Sequence, residues 1–188
     1  MGRTSSNVGR FGDGKLDYVF KTIMEFPQLD MHTVAGGRSS ILSRENWFFK
    51  VGPDSAAVDP EATCLFRKGG PLTSNDADLF LKHIIPEFFP KVFGLNADEP
   101  LHVEIVGEKF HEVRKRIDRE VDGNLSPEEV AYGFMEVASE MMARSIRAVS
   151  EARGYTILKH NVVTFGGVGG QLVVAVVAFL GIKTVLIR

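Results

Sequence analysis

The sequence is poor in cysteine. It holds one, Cys64, among 188 residues, so no disulfide can form within the chain and a reducing compartment suits it. It has no excess of either charge. Lys and Arg number 22 against 24 Asp and Glu, and the net charge of −2 leaves no electrostatic footprint for nucleic acid or an anionic membrane. It also lacks a long hydrophobic run. The longest, Leu172 to Ile182, is about half of the roughly 20 residues that a spanning helix needs. The opening MGRTSSNVGR has no apolar signal-peptide core. No repeat of roughly 20–50 residues is visible, nor any low-complexity tract. What is there is an ordinary globular mixture, 44% hydrophobic and 24% charged. The chain is long enough to bury a sizeable core as one domain or two small ones. The expectation is a soluble cytoplasmic protein with no nucleic-acid partner and no membrane partner.

Three stretches differ in pattern. Residues 1–73 are rich in Gly and in short β-prone runs. Leu16 to Phe20 alternates apolar and polar residues as a half-buried strand does, after a Gly12-Asp13-Gly14 turn. Trp47 to Val51 reads as another strand, closed by Gly52-Pro53. Gly36-Gly37 and Gly69-Gly70 mark tight loops. Residues 74–153 are helical. Ser74 or Asn75 can cap a helix carrying Leu79, Leu81, Ile84 and Ile85, which Pro86 ends. Val106, Phe110, Val113 and Ile117 form an amphipathic stripe, with Asp122-Gly123 at its end. Ser126, Pro127 and Glu129 are N-cap, N1 and N3 of a capping box. The helix that they open carries Val130, Phe134, Val137, Met141 and Ala148, with Gly154 as its C′ residue. Residues 154–188 read as β–Gly-loop–α–β: a strand at 161–165, GGVGG at 166–170, an apolar helix over 171–180 ended by Gly181, and a strand at 183–187. The two strands are expected to be parallel, joined by a right-handed crossover. A chain that stops just after such a strand reads as an incomplete α/β domain.

Few residues carry chemistry on spacing alone. Clustered glycines between a strand and a helix let backbone approach a ligand, and the helix N-terminus favours an anion. GGVGG is neither G-x-G-x-x-G nor a Walker A loop, so on spacing alone a tight turn with close strand–helix packing is the favoured reading over nucleotide contact. Asp30 and His32, two apart on a strand, share a face. They suit a metal or a polarised substrate, or an ordinary loop, and two ligands are too few for zinc. Cys64 is a nucleophile or a small buried residue. His83, His102, His111 and His160 show no metal spacing. Arg144 and Arg147 suit a phosphate or a salt-bridged surface. Met135, Met141 and Met142 read as core, and Phe80 to Phe93 as core or interface.

Taken together, the motifs resemble the A-type domain of the hydantoinase/oxoprolinase family. The resemblance is carried by Pro27 to Asp30 with His32 to Gly37, Val51 to Ala57, Arg67 to Thr73 with Asp76 to Leu79, Ser126 to Ala131, Arg144 to Arg147, Glu151 to Tyr155, and Phe165 to Gln171 with Leu180 to Ile187. RKGGPLT, FFPKVFG and FGGVGGQ are most similar to the eukaryotic ATP-dependent oxoprolinase branch. The resemblance implies an α/β fold, a partial actin/Hsp70-like ATPase with a mixed sheet. It implies ATP with Mg²⁺, used to activate the amide of 5-oxo-L-proline so that ring opening gives L-glutamate in glutathione turnover. It implies a B-type half as partner, and oligomers. Carried over by position, Gly166, Gly167, Gly169 and Gly170 line the nucleotide on its adenosine side. Thr4 and Ser5 belong to a second phosphate motif. Asp30, with Gly36-Gly37, lies near the cleft, and Asp76 matches a family Asp; these two are the catalytic candidates. No metal ligand is assigned.

The departures fall at motif positions. Arg3 replaces a Gly, Asn7 an acidic residue, Arg38 a Gly and Leu172 a His. The segment between Phe20 and Phe26 is short, and Asp59 to Thr63 replaces a Pro-Gly-rich stretch. The first half of the ATPase fold and the B-type half are not in these residues. The expectation is a segment inactive by itself. The alternatives are a non-catalytic remnant or interaction module of the same fold, and a hydantoinase or acetone/acetophenone carboxylase-type subunit. An exposed apolar face is expected where the missing lobe packs.

Overall fold

A computed structural model of the chain describes residues 5–12, 14–16, 18–20, 27–34, 36–56, 61–65, 69–120, 124–166 and 169–188. The organising element is the helix opened by the Ser126 capping box, α3 (Pro127–Ser150). Ser126 Oγ accepts from Glu129 N–H at 3.1 Å, and Glu129 Oε2 accepts from Ser126 N–H at 2.7 Å. Two otherwise orphaned donors at the helix start are thereby satisfied. Its first half buries Val130, Phe134, Met135 and Ala138 in one core cluster, and its second half buries Met142 and Ala143 in another. One helix thus serves both cores.

The first cluster receives α1 (Ser74–Phe80), α2 (Val103–Glu120) and the hairpin of β7 (Ser40–Glu45) and β8 (Phe48–Ser55). The apolar stripe of α2 behaves as its spacing predicts, with Val106, Phe110 and Ile117 buried. Phe80 stacks on Phe110 at 5.0 Å, and Phe49 meets Phe134 at 4.6 Å. The second cluster receives α4 (Gly169–Leu180) and Val34 of β6 (Met31–Val34), which pairs antiparallel with β1 (Ser6–Gly9). α4 lies between β9 (Val162–Thr164) and β10 (Val185–Ile187) in sequence, and those strands are parallel, as expected of the β–Gly-loop–α–β unit.

Several expectations are corrected. The mixed sheet does not form among the described residues. The strands make five separate two-stranded ladders, four antiparallel and one parallel. The strand at 16–20 divides into β3 (Lys15–Leu16), paired with β2 (Phe11–Gly12), and β4 (Tyr18–Phe20), paired with β5 (Pro27–Leu29). β8 does not close at Gly52-Pro53. It runs on to Ser55, and a register shift opposite Ser40 and Leu42 absorbs the irregularity. α1 is capped by Thr73, not by Ser74 or Asn75. It ends at Phe80, well before Pro86, because the chain turns at Lys82 with φ +61°. His83 N–H donates to the Asp78 carbonyl at 2.8 Å, and Lys82 N–H to the Leu79 carbonyl at 3.1 Å. These are the two bonds of a Schellman motif. α3 likewise gives way at Ser150 to a 3-10 turn (Glu151–Arg153), and Gly154, φ +81°, ends that turn. The end assigned to α2 at 122–123 lies outside the described residues.

Candidate functional site

β9 ends at Thr164, and α4 begins at Gly169. Between them Gly166 takes φ +95°, which turns the chain from strand to helix at no side-chain cost. Gly169 N–H donates to the Gly166 carbonyl at 3.0 Å. The remaining first-turn N–H groups of such a helix have no partner within it and favour an anion. The glycines do different work. A Cβ on Gly169 would meet Thr164 Oγ1 at 2.5 Å, so this glycine serves strand–helix packing. A Cβ on Gly170 would meet nothing within 4 Å, and the residue is exposed. Gly170 is therefore the position at which a ligand can approach the backbone. Beside it, Gln171 Oε1 is buried without a hydrogen-bond partner among the described residues. An orphaned amide oxygen next to an open glycine is an acceptor for a ligand donor. Leu172, where a His is expected, is buried in the first core cluster. Gly167 lies outside the described residues, as do Thr4 and Arg3.

The β1–β6 pair is tied to the segment that leads into β9. Asp30, just before β6, forms an ion pair with Arg153. The Arg10 guanidinium lies 3.4 Å from the centre of the Tyr155 ring, and its Nε is 3.1 Å from His160 Nε2. Ser5 precedes β1 and is half-buried. Asn7, in place of the acidic residue, accepts from Thr33 Oγ1 at 2.8 Å. His32 is exposed, opposite Val8 in the ladder, and does not share the Asp30 contact. Arg153 and Tyr155 stand within the Glu151 to Tyr155 motif, but its spacing carries no sign of this tie.

Asp76 belongs to the other core. It is fully buried. Its Oδ1 accepts from Cys64 N–H at 2.7 Å, and its Oδ2 accepts from Thr73 N–H at 2.7 Å and Thr73 Oγ1 at 2.8 Å. Burial pushes its carboxyl above the ordinary value, against the pull of those bonds. Cys64 is fully buried with Asn75 Nδ2 at 3.0 Å from its sulfur. Burial, then the charge of Asp76, push its thiol far above the ordinary value, so a nucleophilic thiolate is not available. Two residues on, Asp78 was not foreseen. It is buried, its Oδ1 is 3.0 Å from His83 Nδ1, and burial pushes its carboxyl up to about 6. Arg144 and Arg147 both pair with Glu140, and Arg147 also donates to the Phe179 carbonyl, so they form a bridged surface.

Among the described residues no three His, Cys, Asp or Glu side chains converge as a metal site, and no helix is long and apolar enough to cross a membrane. The family profile described as Hydantoinase/oxoprolinase matches residues 1–188. The chain is 55% identical over its whole length to the 5-oxoprolinase of Saccharomyces cerevisiae, of which it covers 15%. Its fold is similar to that of the ATP-dependent caprolactamase from Pseudomonas jessenii. That match has a TM-score of 0.78 at 25% identity and covers 100% of this chain and 26% of that one. It is also similar to an acetone carboxylase chain, with a TM-score of 0.77 at 21% identity over 98% of this chain and 26% of that one.

Proposed function

The chain belongs to the hydantoinase/oxoprolinase family, and from that premise we propose that it is the nucleotide-facing segment of an ATP-dependent 5-oxoprolinase. The observation that carries this is the glycine turn at the start of α4, with Gly170 open and the Gln171 amide oxygen unpartnered among the described residues. Gly166, Gly167, Gly169 and Gly170 would hold the adenosine side, and Thr4 and Ser5 would belong to a second phosphate loop. When bound, ATP supplies the phosphoryl group that activates the amide of 5-oxo-L-proline for opening to L-glutamate. Mg²⁺ would be carried by the phosphates and water.

Asp30 and Asp76 are assigned positioning work. The Arg153 ion pair of Asp30 supports this, because it ties the β1–β6 pair to the approach to β9. The burial of Asp76, with both oxygens committed to Cys64 and Thr73, supports it too. The chain spans about 15% of the length of its yeast relative. It would therefore act together with the rest of such a polypeptide, including a B-type half, or as a homo-oligomer. A second reading, a remnant without catalysis, is favoured by Asn7, which offers a neutral amide already engaged by Thr33 where the motif has an acid.

Calorimetric titration of Mg·ATP into the folded chain separates the two. Gly170→Arg is the control, since Gly169→Arg would strike Thr164 and perturb the fold. Binding that Gly170→Arg abolishes supports the nucleotide site. A folded chain that binds nothing at millimolar ATP supports the remnant.

A further inference from the structure

A cavity of about 650 Å³ lies between the β7–β8 hairpin and α2, with none of the glycine-loop residues in its lining. Its floor is apolar, formed by Leu42, Val113, Ile117 and Phe134. Its charged groups are Arg44, Arg116 and Glu120. Arg44 Nη1 and Glu120 Oε2 are 2.6 Å apart and neutralise one another. Arg116 has no hydrogen-bond or ion partner among the described residues. Among the described residues the cavity therefore presents one uncompensated guanidinium above an apolar floor.

The hairpin turn adds a second, independent observation. β7 and β8 are joined by Asn46 and Trp47 alone, since Glu45 pairs with Phe48. Both turn residues have positive φ, 48° and 74°, as a type I′ turn requires. Glycine is the residue that suits the second position, and a bulky L side chain there is strained. Trp47 returns little to the core, because the residue is 61% exposed. Instead it lines the cavity, with the Arg44 guanidinium 5.5 Å from its ring. A strained turn that holds an exposed indole at a cavity which Arg116 also lines, over an apolar floor, suits a ligand rather than stability.

We propose that this cavity binds a small organic monocarboxylate with an aromatic body. The carboxylate is read by Arg116, whose planar fork matches it. The ring lies against Trp47 and over the apolar floor. The volume is within the range of small-molecule sites, about 300–1,000 Å³. The polar lactam ring of 5-oxo-L-proline would leave its amide unpaired on that floor, so the site is separate in ligand and in place from the nucleotide loop.

Trp47 is the sole tryptophan, so its fluorescence reports the site directly. The full chain is titrated with 3-phenylpropionate, with the neutral 3-phenylpropionamide and with 5-oxo-L-proline. The expected result is a saturable change with 3-phenylpropionate at sub-millimolar to millimolar concentration, and binding of the other two weaker by at least about tenfold. Arg116→Gln, on an exposed position of α2, should keep the circular dichroism spectrum and lose at least about tenfold in affinity. Trp47→Gly should melt higher and yet lose binding when followed by calorimetry. No saturable change overturns the proposal. So does equal binding of the acid and its amide, or undiminished affinity in Arg116→Gln, since either means apolar adsorption alone. Mg·ATP binding at Gly170 is read separately, so failure of one site leaves the other standing.

Discussion

At the scale of single residues, two aspartates two positions apart have different fates. Asp76 accepts from three donors with both oxygens. Asp76→Asn would turn an NH2 toward at least one of those donors and leave buried groups unpaired, at a cost of about 2–4 kcal/mol. Urea unfolding measures it; an unchanged midpoint would remove the pinning role. Asp78 has one partner for Oδ1, while Oδ2 is buried without one among the described residues. Its carboxyl is raised from 3.8 to about 6 by burial, against the pull of His83. The folded state therefore binds more protons than the unfolded state between those values. Its contribution to stability falls as pH rises from about 4 to 6, and the penalty is complete above that. Asp78→Asn should raise stability at pH 7 by on the order of 1–3 kcal/mol and flatten the pH profile across that window. A wild-type profile already flat there would contradict this. The Asp-to-Asn exchange thus has opposite signs at the two positions, a difference set by their partners and not by residue type.

At the scale of elements, the caps were legible to different degrees. Ser126, Pro127 and Glu129 act through neighbours within one turn, so the start of α3 could be read directly. The end of α1 could not. The left-handed C′ position of its Schellman motif is occupied by Lys82 where glycine is the usual signal. Lys82→Gly should therefore stabilise the chain by roughly 0.5–1 kcal/mol, read as a rise in melting temperature; a fall would mean that the lysine side chain contributes more than its backbone costs. The β-strands were harder still. The apolar run after Trp47 was visible, but its continuation through Gly52-Pro53 depends on pairing with β7, three to fifteen residues earlier in the ladder. The glycine loop was found from sequence as a unit. Which glycine packs and which stands open was decided by Thr164.

At the scale of the whole molecule, α3 joins two cores, and the C-terminal unit is clad on one side only. Val163, Phe165, Leu186 and Ile187 are each more than half exposed. Parallel strands are ordinarily covered on both faces, and the chain spans about 15% of the length of its yeast relative. The expected outcome is concentration-dependent self-association, reduced by Leu186→Lys, with sedimentation velocity as the measurement. A monomer at all concentrations would contradict it.

By itself the sequence determined the family, the α2 stripe, the α3 cap and the β–Gly-loop–α–β order. Each is written in spacings of a few residues or in motifs matched along the chain. Only the tertiary structure decided the rest: Asp30 committed to Arg153, Asp76 to Cys64 and Thr73, Cys64 closed to chemistry, Gly170 open, and an aromatic-lined cavity beneath Trp47. These depend on groups far apart in sequence, and on whether water or protein is the partner. Burial and pairing of that kind are properties of the packed chain, with no counterpart in local spacing.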